Sequence, residues 1–131
     1  MNRPQLRHGP PQYWFRDTTG VKVKIDSVGQ FENGKHDDKY ACLIRSTSYD
    51  EVELKLLDTD ERISLPGAFI SPVHPGDTAF DRSQRAMVLD GEYKGELAQL
   101  LSNDDEEWMV KFFPSGNSAV LSAFSMVQHV R

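Results

Sequence analysis

In VLDGEYKGELAQLL (residues 88–101) two glycines, Gly91 and Gly95, stand four apart around Tyr93 and Lys94. A phosphate cradle of the P-loop kind needs Gly-x-x-x-x-Gly-Lys-Ser/Thr opening a helix. Here Glu96 and an alternating apolar run follow Gly95, so the stretch predicts a β-hairpin bend in which Asp90-Gly91 supplies positive φ. Metal binding needs clustered ligands. His8, His36, His74 and His129 stand apart, Cys42 has no neighbouring thiol, and neither His-x-x-x-His nor Cys-x-x-Cys occurs. His36-Asp37-Asp38 reads as solvated loop surface. Cys42 lies in the apolar run ACLI, the setting of a small buried side chain and not of an activated nucleophile. The run Asp104-Asp105-Glu106-Glu107 reads as a solvated hairpin tip whose charges repel phosphate. No catalytic residue, cofactor or metal is therefore expected, and the chain reads as a non-enzyme.

Two binding constellations remain. Lys22 and Lys24 alternate with Val21, Val23 and Ile25, so they project together from the far side of a strand. Lys39 and Arg45 lie on the next strand, with Tyr40 as a stacking aromatic, and the four cations form a candidate nucleic-acid contact. The plain alternative is that outward lysines keep the strand soluble. Tyr93, Trp108 and Phe113 would contribute to an aromatic cage for a methylated side chain only if Trp108 left the core.

The elements that position these residues are strands. Val21, Val23 and Ile25 are spaced by two, as are Val52, Leu54 and Leu56, and again Trp108, Val110 and Phe112. Turn chemistry separates the runs, at Asn33-Gly34, Asp58-Thr59-Asp60, Asp90-Gly91 and Ser115-Gly116-Asn117. Close-spaced short strands without intervening helices predict an all-β chain. Sliding the chain by 56 residues lays LIRSTSYDEVELKLL (43–57) over QLLSNDDEEWMVKFF (99–113) without a gap. Glu51 falls on Glu107, Val52 on Trp108, Lys55 on Lys111, and Phe69 reaches Phe124 after a one-residue slip. The match predicts two tandem β-modules. A module of this size closes best as a small five-stranded barrel, which hides its edges. The expected interior of the first is Val21, Val23, Ile25, Cys42, Ile44, Val52, Leu54, Leu56, Ile63 and Leu65. For the second it is Met87 or Val88, Leu97 or Ala98, Leu100, Trp108, Val110, Phe112, Ala119, Leu121 and Phe124.

Charge limits the partners. The 131 residues carry a net charge of −5, which disfavours a dedicated polyanion binder. Residues 1–35 balance at +3 and the remainder at −8, so any polyanion is expected near the N-terminal portion. A single cysteine fits a reducing compartment. No apolar run approaches the roughly 18–20 residues of a membrane span. The start, MNRPQLRHGPPQ, lacks the apolar region of a secretory signal. The expected domains are a flexible Pro-containing tail at 1–12, barrels at 13–73 and 82–131, and a linker at 74–81.

The stretch AMVLDGEYKGELAQLL also resembles the KOW motif, with an apolar strand, Gly91, an aromatic/basic pair in Tyr93 and Lys94, Gly95, and a second strand. Trp14 ahead of VKVKI, then LIRS, ISPVHP and LLSNDDEEWMVKF, extend the resemblance over nearly all of 13–131. Together they resemble the tandem KOW pair ending the large subunit of the eukaryotic NusG-type transcription elongation factor. Similar pairs occur in a G-patch-and-KOW splicing protein and in the Kin DNA/RNA-binding protein. The resemblance implies two SH3-like barrels without catalysis or cofactor, in a nuclear protein. The implied partners are RNA polymerase II and elongation proteins, including a small zinc-binding subunit held elsewhere on a full-length chain. Only weak RNA or DNA contact is implied, with no membrane and no small-molecule substrate. The first module departs from the motif. Lys39 falls opposite Gly95 and the loop QFENGKHDDK is longer, so its first hairpin is expected to turn differently.

Overall fold

The computed structural model of the chain describes residues 13–16, 18–78 and 84–130. Apolar residues at every second position bury one face of most strands, and the strands form two antiparallel five-stranded sheets. The first is built from β1 (Lys22–Ile25), β2 (Tyr40–Ser48), β3 (Glu51–Leu56), β4 (Arg62–Pro66) and β5 (Ile70–Pro72), in the order β4-β3-β2-β1-β5. The second comprises β6 (Arg85–Val88), β7 (Leu97–Asp104), β8 (Glu107–Phe112), β9 (Ser118–Ser122) and β10 (Met126–His129). Its order, β10-β6-β7-β8-β9, repeats the first strand for strand. In each, a 3-10 turn joins the fourth and fifth strands, at Gly67–Phe69 and at Ala123–Ser125. The chain is thus all-β, two small SH3-like barrels in tandem.

The chain divides into two compact units. One runs through Val73 and includes His129 and Val130. There, Val21 bridges His129 and the Val130 N–H donates to the Gly20 carbonyl at 2.6 Å. The other is His74–Gln128. In it, Gln128 is buried and donates to the His74 carbonyl at 3.0 Å, while Gln84 Nε2 donates to Gln128 Oε1 at 2.8 Å. Residues 1–12 and 79–83, which cover the expected tail and part of the expected linker, lie outside the described residues.

The 56-residue repeat holds from β3 onward, with Glu51–Leu56 matching Glu107–Phe112 and Arg62–Pro66 matching Ser118–Ser122. It fails in β2. Leu43 pairs with Leu54 where Leu100 pairs with Val110, so β2 is offset by 57. Both hairpins skip one residue after that pair, but β2 skips a second, Thr47, between Ser46 and Ser48. Such a bulge inserts one residue, and a one-residue shift turns every side chain to the other face. Ala41 and Leu43 are therefore buried, whereas Cys42 and Ile44, expected inside, are only partly buried. In the second barrel the inward parity is Ala86, Val88, Ala98 and Leu100, and Met87 and Leu97 turn outward. Phe124 is half-buried, its ring 5.5 Å from that of His74.

The same offset corrects the first hairpin. Asp38, not Lys39, stands opposite Gly95, and both hold positive φ, 68° and 89°. The closing bonds coincide. Asp38 N–H donates to Ile25 C=O and Gly95 N–H to Val88 C=O, each at 2.8 Å. Ile25 N–H donates to Lys39 C=O and Val88 N–H to Glu96 C=O, each at 3.0 Å. An aspartate tolerates the left-handed conformation that the motif gives to glycine, so both hairpins close alike despite different loop lengths.

Candidate functional site

Outward residues of β1, β2 and β3 meet on one face of the first barrel. The register sets Lys24 opposite Tyr40, and Lys22 opposite Cys42, which itself faces Lys55. Lys22, Lys39 and Tyr40 line a shallow depression of about 460 Å³ with Asp38, Leu57 and Asp58. Three residues of the predicted basic-aromatic face are thus brought together. Lys24 flanks them through Asp38, and Arg45, farther along β2, is outside the lining.

Among the described residues, every one of these cations but Lys22 has a carboxylate. Lys24 Nζ is 3.8 Å from Asp38, Lys39 Nζ 3.5 Å from Asp58, and Lys55 Nζ 3.8 Å from Asp60. Arg45 and Arg62 share Glu53, at 3.0 and 3.4 Å. Each pair is exposed and contributes little to stability. Their consequence is electrostatic, because a phosphate approaching this face meets an aspartate beside each of those lysines. Lys22 Nζ lies over the Tyr40 ring, 4.7 Å from its centroid. The lysines and Tyr40 are legible in the sequence as alternation. The aspartates are not, because Asp58 arrives from the β3–β4 turn and Asp38 from the hairpin end.

The loop behind the face is held by Asp37. Its Oδ1 accepts from Ser27 N–H at 2.9 Å and Ser27 Oγ–H at 2.7 Å, and its Oδ2 from Gly29 N–H at 2.9 Å. The His36-Asp37-Asp38 run is therefore only partly solvated surface. His36 is buried beside Phe31, Asp37 ties the loop, and Asp38 faces Lys24. These donors, Ser27 Oγ–H first, hold the Asp37 carboxyl below its ordinary value of 3.8. Its contribution to stability is complete above that value and is lost as pH falls through the lower folded one. Acid unfolding of the first barrel is expected to steepen below pH about 4. Asp37→Asn, which keeps one acceptor and has no charge to lose, is expected to flatten that limb. An unchanged acid limb in the variant would count against the Asp37 tie.

In the second barrel, Gly91 has φ 81° and open space on the side where a Cβ would stand, with nothing within 4 Å, and Gly95 is likewise open. Lys94 is exposed at the hairpin tip. Tyr93 is half-buried and stacks on Phe112, with centroids 4.5 Å apart. Trp108 is in the core and Phe113 lies outside, under Arg85 at 4.8 Å. These three rings do not converge on a cage. Cys42 is a free thiol that burial raises above its ordinary value of 9.0 against the opposing charge of Lys55. At neutral pH it is protonated and a poor nucleophile. No group of three metal-ligating side chains occurs among the described residues.

No protein-family profile matches the sequence, and no curated protein matches it. Among solved structures the chain is similar to the crystal structure of Arabidopsis thaliana AGDP1 AGD34. The identity is 13%, the match covers 88% of this chain and 83% of that chain, and the TM-score is 0.37. It is also similar to the crystal structure of the ADCP1 tandem Agenet domain 3-4, at 10% identity over 88% of this chain and 81% of that chain, with a TM-score of 0.37.

Proposed function

We propose that the chain is a non-catalytic docking module of a nuclear transcription elongation factor of the NusG type. It contacts RNA polymerase II or associated elongation proteins, and nucleic acid only weakly. The observation that carries this reading is the internal neutralisation of the first-barrel face, where Lys24, Lys39, Lys55, Arg45 and Arg62 each face a carboxylate of the same barrel. Polyanion affinity comes from releasing counterions by cations that are free to replace them, and paired cations release few. Protein surfaces tolerate such balanced charge, which fixes register more than affinity. The KOW-like hairpin at Gly91–Gly95 and the tandem repeat of one barrel support the family part of the reading.

The competing role is a nucleic-acid-binding pair acting through Lys22, Lys24, Lys39 and Arg45. Binding of residues 13–131 to purified RNA polymerase II, with and without nuclease treatment, separates the two. Docking predicts saturable binding that nuclease leaves unchanged. Absent binding, or binding abolished by nuclease, would contradict it.

A further inference from the structure

We infer that the depression on the first barrel is the docking site for a short peptide segment in which an acidic side chain stands beside an aromatic or aliphatic one. The inference rests on the docking reading above and specifies the chemistry of the partner. Charge sets the acidic half. Around the depression, Asp38 and Asp58 already have Lys24 and Lys39 at 3.8 and 3.5 Å, so among the described residues the unmatched charge is that of Lys22. Lys22 rests on a ring, a contact that an incoming carboxylate can share, because the ammonium keeps donors for both. Lining sets the apolar half. The partly buried Tyr40 ring and the exposed side chain of Leu57 border the same depression. An aromatic or aliphatic side chain laid there removes apolar surface from water on both partners.

The geometry also sets the class of macromolecule. A peptide brings one carboxylate to Lys22 and passes Asp38 and Asp58 with an uncharged backbone. A nucleic-acid strand brings a phosphate at every residue and meets both aspartates. The second barrel supplies an internal comparison. There Arg85 corresponds to Lys22 and stands over Phe113, at 4.8 Å, but Glu96 takes the place of Lys39 and provides a negative charge of its own. The acidic peptide is therefore assigned to the first barrel alone.

The test is an NMR titration of the full 131-residue chain with acetyl-Ser-Gly-Glu-Phe-Gly-Ser-amide, which carries one acid beside one aromatic side chain. Its comparisons are the same peptide with Gln for the Glu, and a uridine oligonucleotide. Saturating shifts are expected at the amides of Lys22, Tyr40 and Leu57. The uncharged peptide is expected to bind about threefold to fivefold more weakly, and Lys22→Glu and Tyr40→Ala to weaken the acidic peptide at least about threefold. Lys22→Ala, which removes the charge from an outward position, provides a second variant should Lys22→Glu misfold. Arg85→Glu is expected to change nothing. The inference is overturned by equal binding of the uncharged peptide, by shifts centred on Arg85 and Phe113, by tighter binding of the oligonucleotide, or by no titration at all. Polymerase binding that survives Lys22→Glu when the peptide does not titrate would sink this inference and leave the docking reading standing. Peptide shifts at Lys22, without any polymerase binding, would do the reverse.

Discussion

Gly67→Ala is expected to destabilise the first barrel by about 2–4 kcal/mol, although it adds a single methyl group. A Cβ on Gly67 would lie 2.2 Å from Phe15 Cζ and 2.5 Å from Cε2, both well inside van der Waals contact. Phe15 is 1% exposed and has no room to yield, so the ring must leave its site or the 3-10 turn must shift. The backbone itself accepts alanine, because Ala123 occupies the equivalent position of the second barrel and is buried there. The clash thus belongs to Phe15 alone, which a double-mutant cycle reads directly. In a Phe15→Ala background, itself costing about 3–5 kcal/mol, the added methyl is expected to cost less than about 1 kcal/mol. Urea unfolding of the four proteins provides the measurement. Additive losses would show that the glycine is needed for some other reason.

Trp108→Ala is expected to cost the second barrel about 3–5 kcal/mol. The indole is 2% exposed and belongs to the cluster of Ala86, Val88, Ala98, Leu100, Val110, Phe112, Ala123 and Met126. Its counterpart in the first barrel is Val52, which pairs with Leu65 as Trp108 pairs with Leu121. The two barrels therefore obtain their large aromatic from different places. One carries it on the third strand, and the other receives Phe15 from the segment ahead of the first. Replacing Trp108 with phenylalanine keeps most of the apolar volume and is expected to cost about half as much. A lowered urea midpoint with an unchanged slope reports lost stability. A midpoint shift for Trp108→Ala no larger than that of an exposed substitution such as Val120→Ala would contradict the assignment.

The alternating strands and the tandem repeat are legible in the sequence because β3, β4 and the following turn keep one spacing and alternate without interruption. The inward face of β2 is not. In ACLI both parities are apolar, so alternation carries no information, and the bulge at Thr47 that decides between them has no signature in residue type. Phe15 is hidden as a core residue, because nothing local announces that it fills the space left by Gly67. The lysines and Tyr40 of the candidate face are legible as outward positions, but the charge balance that defines its chemistry is not. Asp58 lies nearly twenty residues from Lys39 and meets it only when the β3–β4 turn folds back. Asp38 has the residue type of a solvated loop, and its part in closing the hairpin follows only from the 57-residue offset.

The salt dependence of RNA binding tests the central claim, that the cations of the first-barrel face are already neutralised by carboxylates of the same barrel. On a uridine oligonucleotide each engaged cation contributes about 0.7 to the slope of log K against log salt. Among the described cations of this face Lys22 alone lacks a carboxylate, so replacing Lys22, Lys24, Lys39 and Arg45 together with alanine is expected to reduce the slope by only about 0.7. A reduction near 2.8, roughly four phosphates engaged by those four side chains, would contradict the account.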